Sequence, residues 1–177
     1  MIIFKYGDVL KVFKEIDDKV ILLHGCNCFH TMGAGIAKQI ADAYPAAPQA
    51  DIEQTVHGSH NKLGKYSIAI ISTDGHGKPK KIIANGYTQY HYGRGGNLFI
   101  ESALTELIMR LAKDYPEHKI MMPYIGAGLA GGTKTDTRAA ISLAFERITD
   151  RRVSKDSWSD VPEPVVWLFD KEEPKQE

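Results

Sequence analysis

Twice in this chain a short apolar run breaks into a glycine-rich loop and then into a helical pattern. That repeated order constrains the fold more than any other feature. The first copy reads Leu22-Leu23-His24-Gly25-Cys26-Asn27-Cys28, then Phe29-His30-Thr31-Met32-Gly33-Ala34-Gly35-Ile36-Ala37. The second reads Met121-Met122-Pro123-Tyr124-Ile125, then Gly126-Ala127-Gly128-Leu129-Ala130-Gly131-Gly132. A continuous apolar run such as Val20-Ile21-Leu22-Leu23 suits a strand buried on both faces. Glycine admits positive φ and lets the backbone approach a ligand closely. Inward-pointing N–H groups, reinforced by a following helix N-terminus, then form an anion cradle that needs no Lys or Arg. In open α/β sheets such cradles sit at the carboxyl ends of strands. Two of them suit the two phosphates of a diphosphate, although tight turning alone also accounts for glycines in such loops.

The rest of the pattern alternates. Strands are predicted over 2–6, 19–26, 67–72, 81–85, 119–125 and 164–169, and helices over 8–13, 35–44, 97–114 and 135–149. The polar stretch 151–164, with two prolines, reads as a surface loop. Strands separated by helices imply a layered α/β fold. At 177 residues the chain fits one domain, placed at 1–170, with a charged, flexible tail over 171–177. Lys plus Arg and Asp plus Glu are 22 each, so there is no basic excess to grip duplex nucleic acid. A local pocket for one small dianion remains compatible with that balance. The two cysteines, one residue apart, would form a badly strained disulfide and read as reduced thiols of a cytoplasmic protein. No leader pattern opens the chain, and no apolar run approaches the ~20 residues that span a bilayer. A monomer without membrane attachment is expected.

Several candidate residues have more than one reading. Gly126, Gly128 and Gly131 match G-x-G-x-x-G, with Glu146 and Asp150 near the acidic offset of a dinucleotide fold. That motif normally follows the first strand, and here it comes late, against a nicotinamide dehydrogenase. His24, Cys26, Cys28 and His30 alternate, but the spacing departs from zinc knuckles, so no metal and no organic cofactor is expected. His24, beside a phosphate cradle, is either a general acid/base or phosphate ligand or a hydrogen-bonded structural histidine. Asn27 suits a ribose hydroxyl or a bound water, or else ties down its own loop. His57, His60, His76, His91 and His118 lie in polar segments and read as surface residues. The run Tyr87 to Arg94 offers aromatics and Arg that stack on bases or line the same pocket.

Taken in order, several pieces resemble the macro domain family. They are Gly7-Asp8, Asn27, Met32-Gly33-Ala34-Gly35-Ile36-Ala37, Pro123-Tyr124-Ile125-Gly126-Ala127-Gly128-Leu129 and the final Leu168-Phe169-Asp170, together covering nearly the whole chain. The resemblance implies a three-layer α/β/α sandwich around a mixed sheet, and a site for ADP-ribose. It implies that Asp8, with Val9, meets the adenine amino group, and that Phe169 packs on adenine. It places Asn27 at the distal ribose, Met32, Gly33, Ala34, Gly35 and Ile36 around the diphosphate and that ribose, and Ile125, Gly126, Ala127, Gly128, Leu129 and Ala130 at the second phosphate loop. His24-Gly25-Cys26-Asn27-Cys28 and Gly64-Lys65 look most like the branch that dephosphorylates ADP-ribose 1″-phosphate, with His24 and Asn27 as its catalytic pair. The branch that cleaves ADP-ribose from glutamate uses a lysine nucleophile and an aspartate. Here Ala130 stands at the aspartate position and 87–92 holds no lysine. The resemblance therefore implies a phosphatase acting on ADP-ribose 1″-phosphate. A non-catalytic reader of ADP-ribose, or a hydrolase releasing it from protein or nucleic acid, would use the same pocket.

Overall fold

A computed structural model of the chain describes residues 1–93, 96–154 and 157–171. Six strands form one sheet: β1 (Ile2–Tyr6), β2 (Val20–Cys26), β3 (Tyr66–Thr73), β4 (Pro79–Tyr87), β5 (Lys119–Pro123) and β6 (Val166–Asp170). Their order is β1-β6-β5-β2-β4-β3. Every neighbouring pair is parallel except β3 with β4, which is antiparallel and irregular between Ile70 and Thr73. The helices are α1 (Val9–Glu15), α2 (Gly35–Ala43), α3 (Ala46–Gln54), α4 (Glu101–Asp114) and α5 (Lys134–Val153).

Alternation along the strands sends side chains to two separate cores. Ile21, Leu23, Ile82, Ala84, Ile120, Met122 and Leu168 face α4 and α5, meeting Leu104, Ile108, Ile141 and Ile148. Val20, Leu22, Ile83, Met121 and Phe169 face the other way, onto Val9 and Phe13 of α1, Ile40 of α2 and Ala47 and Ala50 of α3. The result is the expected three-layer α/β/α sandwich with a mixed central sheet. Among the described residues no helix is long and apolar enough to cross a membrane.

The structure departs from the sequence reading in three places. Helix α3 is missing from that reading, and two prolines, Pro45 and Pro48, stand at its start. Both fall at its N-terminus, Pro45 as the residue before the first turn and Pro48 within that turn, where a missing N–H leaves no bond unmade. Helix α4 starts at Glu101 rather than at 97. The amides of Leu98 and Phe99 instead donate to the carbonyl of Ala130, at 2.8 and 3.1 Å, and hold this stretch against the second glycine loop. The stretch 151–164 is not simply a surface loop. Its first residues continue α5, and Trp158 and Val161 are buried against the α4/α5 core, leaving 155–156 outside the described residues. Of the predicted tail, 172–177 also lie outside the described residues.

Candidate functional site

Because β1, β6, β5, β2 and β4 run parallel, their carboxyl ends lie along one edge of the sheet. That edge carries Gly7-Asp8 after β1, the loop 27–34 after β2, the segment 88–100 after β4 and the loop 124–133 after β5. The two glycine loops meet there. A Cβ built on Gly35 would lie 3.8 Å from Cδ1 of Leu129, a side chain that is otherwise 49% exposed.

The two loops present amides in different ways. Helix α2 opens without a side-chain cap: Ala34 is extended at the N-cap, and its methyl offers no acceptor. The first amides of a helix have no intrahelical partner, so α2 presents donors and positive potential to whatever lies beyond it. Helix α5 is closed by a capping box between Thr133 and Asp136. In the second loop the donors come from the turn itself. Gly128, Gly131 and Gly132 donate back to the carbonyls of Gly126 and Gly128, at 2.9–3.0 Å. No described residue accepts from the amides of Leu129 or Ala130. Gly126, at φ +84°, lies so close to Phe99 that a Cβ would sit 2.3 Å from its ring. This glycine is set by packing as well as by turning. Gly33 and Gly128 are different, because a Cβ on either meets nothing within 4 Å.

The other expected contact residues are spread along the same edge. Asp8 is exposed and caps α1, its Oδ1 accepting from Leu10 N at 2.8 Å and Lys11 N at 3.3 Å. Gly7 N donates to Asp170 O at 2.8 Å and joins this corner to the end of β6. Val9 is buried beneath it. Phe169 is only 4% exposed and packs in the same cluster as Val9, so little of its ring is open. Met32 packs against Cys26, Cys28 and Tyr87, and Ile36 against the α1–α3 core. Ile125 and Ala130 are buried, while Ala127 is half-buried.

The expected catalytic roles do not fit where His24 and Asn27 sit. His24 lies on the face of β2 covered by the α1–α3 layer and has no exposed atom surface. Its Nε2 is 2.8 Å from Oδ1 of Asn85, the residue beside it in the sheet register, and Cys26 Sγ stands 3.7 Å from its Nδ1. Burial pulls its pKa down to about 4, so the ring is neutral. Asn27 has both ends of its amide engaged inside its own loop. Nδ2 donates to Thr31 O and Oγ1 at 3.0 and 2.8 Å, and Oδ1 accepts from Phe29 N at 2.8 Å. Asn27 therefore ties the loop down.

His24 stands at the end of a polar chain that crosses the buried face. Asn85 Nδ2 donates to Ser67 Oγ at 3.0 Å, Ser67 Oγ is 2.7 Å from the Tyr87 hydroxyl, and that hydroxyl donates to Asp51 Oδ1 at 2.6 Å. A consistent set of donors runs toward the carboxylate if His24 carries its proton on Nε2 and the Ser67 hydroxyl donates to Tyr87. Lys62 Nζ reaches the same Asp51 oxygen at 3.0 Å, and Thr55 Oγ1 lies 3.1 Å from it. Asp51 and Lys62 are 2% and 4% exposed, and sequence reasoning passed over both because charged residues normally belong to the surface. One signal was available: Asn85 interrupts the apolar run of β4, and a polar residue inside a buried strand needs a polar partner.

Of the histidines read as superficial, three surround loop 27–34. His60 stacks on Tyr90 at 3.6 Å, His91 stacks on Phe29 at 4.7 Å, and His57 meets Phe29 edge-on at 5.4 Å. Tyr87 is wholly buried and forms, with Cys26 and Cys28, the cluster on which Phe29 and Tyr90 pack; Arg94 lies outside the described residues. These three histidines and His76 are exposed, as expected, whereas His118 is half-buried, with Nε2 3.1 Å from Pro79 O.

Comparison with known proteins agrees with this architecture. The macro domain family matches residues 23–141, and the chain belongs to that family. It is 39% identical over 137 residues to an uncharacterised 17.5 kDa protein of the tk-vs intergenic region of Enterobacteria phage T4, a match covering 73% of this chain and 82% of that protein. The macrodomain of Mycobacterium tuberculosis DarG is similar in fold, with a TM-score of 0.66 at 23% identity over 97% of this chain and 99% of the other. Thermosipho africanus DarTG, solved in complex with ADP-ribose, gives a TM-score of 0.61 at 15% identity over 97% of this chain and 43% of the other.

Proposed function

We propose that this chain binds ADP-ribose across the carboxyl edge of its sheet, either free or as the terminal unit of a modified macromolecule. The observation that carries this reading is the meeting of two open glycine loops. The uncapped start of α2 and the amides of 129–130, which no described residue accepts from, belong to the two loops that approach each other at Gly35 and Leu129. A diphosphate matches that arrangement in charge and in acceptor number, and the Thermosipho structure with bound ADP-ribose supports the choice of ligand. In this reading Asp8, with Val9 and Phe169 beneath it, receives the adenine. Met32, Gly33, Ala34, Gly35 and Ile36 wrap one phosphate and the distal ribose, with Asn27 shaping that loop. Ile125, Gly126, Ala127, Gly128, Leu129 and Ala130 wrap the other phosphate.

Removal of a 1″-phosphate would need a proton carrier or phosphate ligand in the cleft. His24 does not supply one, because its ring is enclosed and already bonded to Asn85. The reading therefore rests on binding. It expects one equivalent of ADP-ribose by calorimetric titration. It also expects any phosphate released from ADP-ribose 1″-phosphate to appear at the same rate in wild-type protein and in His24→Gln. Absence of ADP-ribose binding would refute it, and phosphate release that disappears in His24→Gln would restore the phosphatase role.

A further inference from the structure

We infer that the buried Asp51 is a positioning residue for the ligand: with Lys62, Thr55 and His30 it holds the stem of loop 27–34 so that the amides of 33–36 stay open. This rests on the ADP-ribose reading above. Asp51 comes from α3 and Lys62 from the 3-10 turn His60–Lys62, and a Cβ built on Gly33 or Gly35 would meet no atom of either element within 4 Å. Both nevertheless reach the loop. Lys62 Nζ donates to Cys28 O at 3.4 Å as well as to Asp51 at 3.0 Å. Cys28 is further held on both sides of its peptide, its amide donating to Tyr90 O at 3.0 Å and its carbonyl accepting from Gly58 N at 2.8 Å.

Two residues later the chain does something unfavourable. His30 has φ +54°, and among the described residues no other non-glycine has a positive φ. A side chain there is strained and persists only where its surroundings hold it. The His30 ring supplies that hold: its Nε2 is 2.9 Å from Thr55 Oγ1 and 3.6 Å from Asp51 Oδ1. Thr55 in turn donates to Asp51 O at 2.6 Å. The strained turn at His30 swings the chain from the anchored stem to the stretch 31–35, exposed except at Met32, from which α2 starts. An ion pair this deeply buried adds little net stability, and conformational specificity is its better-attested use. Here it serves to fix one loop geometry.

The test uses His30→Gly, Asp51→Asn and Lys62→Met in the full chain. Each is compared with wild type by amide exchange over 28–36, by melting, and by calorimetric titration with ADP-ribose and with AMP. His30→Gly tolerates the positive φ and removes the tether, together with the edge contact of the ring with His57, without taking away a buried charge, so it carries the test if removal of a buried charge unfolds the other two. The expected result is faster exchange of the Cys28 and Phe29 amides and at least fivefold weaker ADP-ribose binding, with AMP binding and melting of His30→Gly little changed. A purely structural role would instead weaken both ligands together and lower the melting temperature. Wild-type protein that bound no ADP-ribose would overturn the cleft reading before any variant was compared. Wild-type binding with unchanged ADP-ribose affinity in the folded variants would overturn the positioning role alone.

Discussion

At the scale of single residues, burial decides chemistry more than residue type does. The resemblance marks His24 as a catalytic candidate, yet it sits beneath the α1–α3 layer with its ring bonded to Asn85. The sequence leaves its role open, because a strand residue at the carboxyl end points either to a layer or to a cleft, and only the packing of α3 settles which. Burial has a measurable consequence. The native ring takes up a proton near pH 4, and the unfolded ring near 6.5. Between those values the unfolded state binds the extra proton, so stability falls as pH is lowered from 6.5 toward 4 and is unaffected by this residue above 6.5. The full loss is on the order of 3 kcal/mol. His30 and His118 are also shifted down by burial and act in the same direction. The contribution of His24 is therefore read as a difference. His24→Gln can keep a donor to Asn85 without titrating, and its melting temperature should fall less than that of wild type between pH 6.5 and 4.5. Parallel pH profiles for the two proteins would show that His24 titrates normally.

At the scale of elements, the two glycine-loop units look alike in sequence and differ in structure. Helix α5 satisfies its first amides through Thr133 and Asp136, whereas α2 leaves its own open behind Ala34. A helix start without a cap gives up about 1 kcal/mol of stability. In this account that loss is tied to ligand binding. Ala34 already has the extended backbone of an N-cap, at φ −149° and ψ 164°. Ala34→Asp should therefore raise the melting temperature while its carboxylate occupies the amides meant for a phosphate, weakening ADP-ribose at least tenfold. A variant that melted higher and bound ADP-ribose as well as wild type would detach α2 from the site. The glycine-loop segments were legible in sequence because their signals are local: an apolar run, glycines, then helical spacing. Helix α3 was not legible, since Pro45 and Pro48 mask its start and its buried face is carried by Ala47, Ala50 and Asp51 rather than by large apolar residues. With α3 unseen, neither Asp51 nor its contact with Lys62 had a place in the reading.

At the scale of the whole molecule, function depends on which strand ends share an edge. The expected ligand residues are scattered from Asp8 to Phe169, and the parallel order β1-β6-β5-β2-β4 collects them. That collection was accessible only through the resemblance to macro domains. Periodicity predicts strands and helices, but not the order in which strands pair. The approach of Gly35 to Leu129 is likewise a tertiary fact with no local signature. The net charge of zero fits the proposed site, in which backbone amides rather than a basic surface would meet the anion.

The most direct test of the account is calorimetric titration of ADP-ribose into wild-type protein, Gly33→Glu and Gly128→Glu. Both glycines face open space and neither has a positive φ, so a side chain fits there without disturbing the fold. The account predicts that wild type binds, that both variants melt within a few degrees of it, and that each loses at least tenfold in affinity, about 1.4 kcal/mol. Two well-folded variants that bound ADP-ribose as tightly as wild type would show that the diphosphate does not lie between these loops.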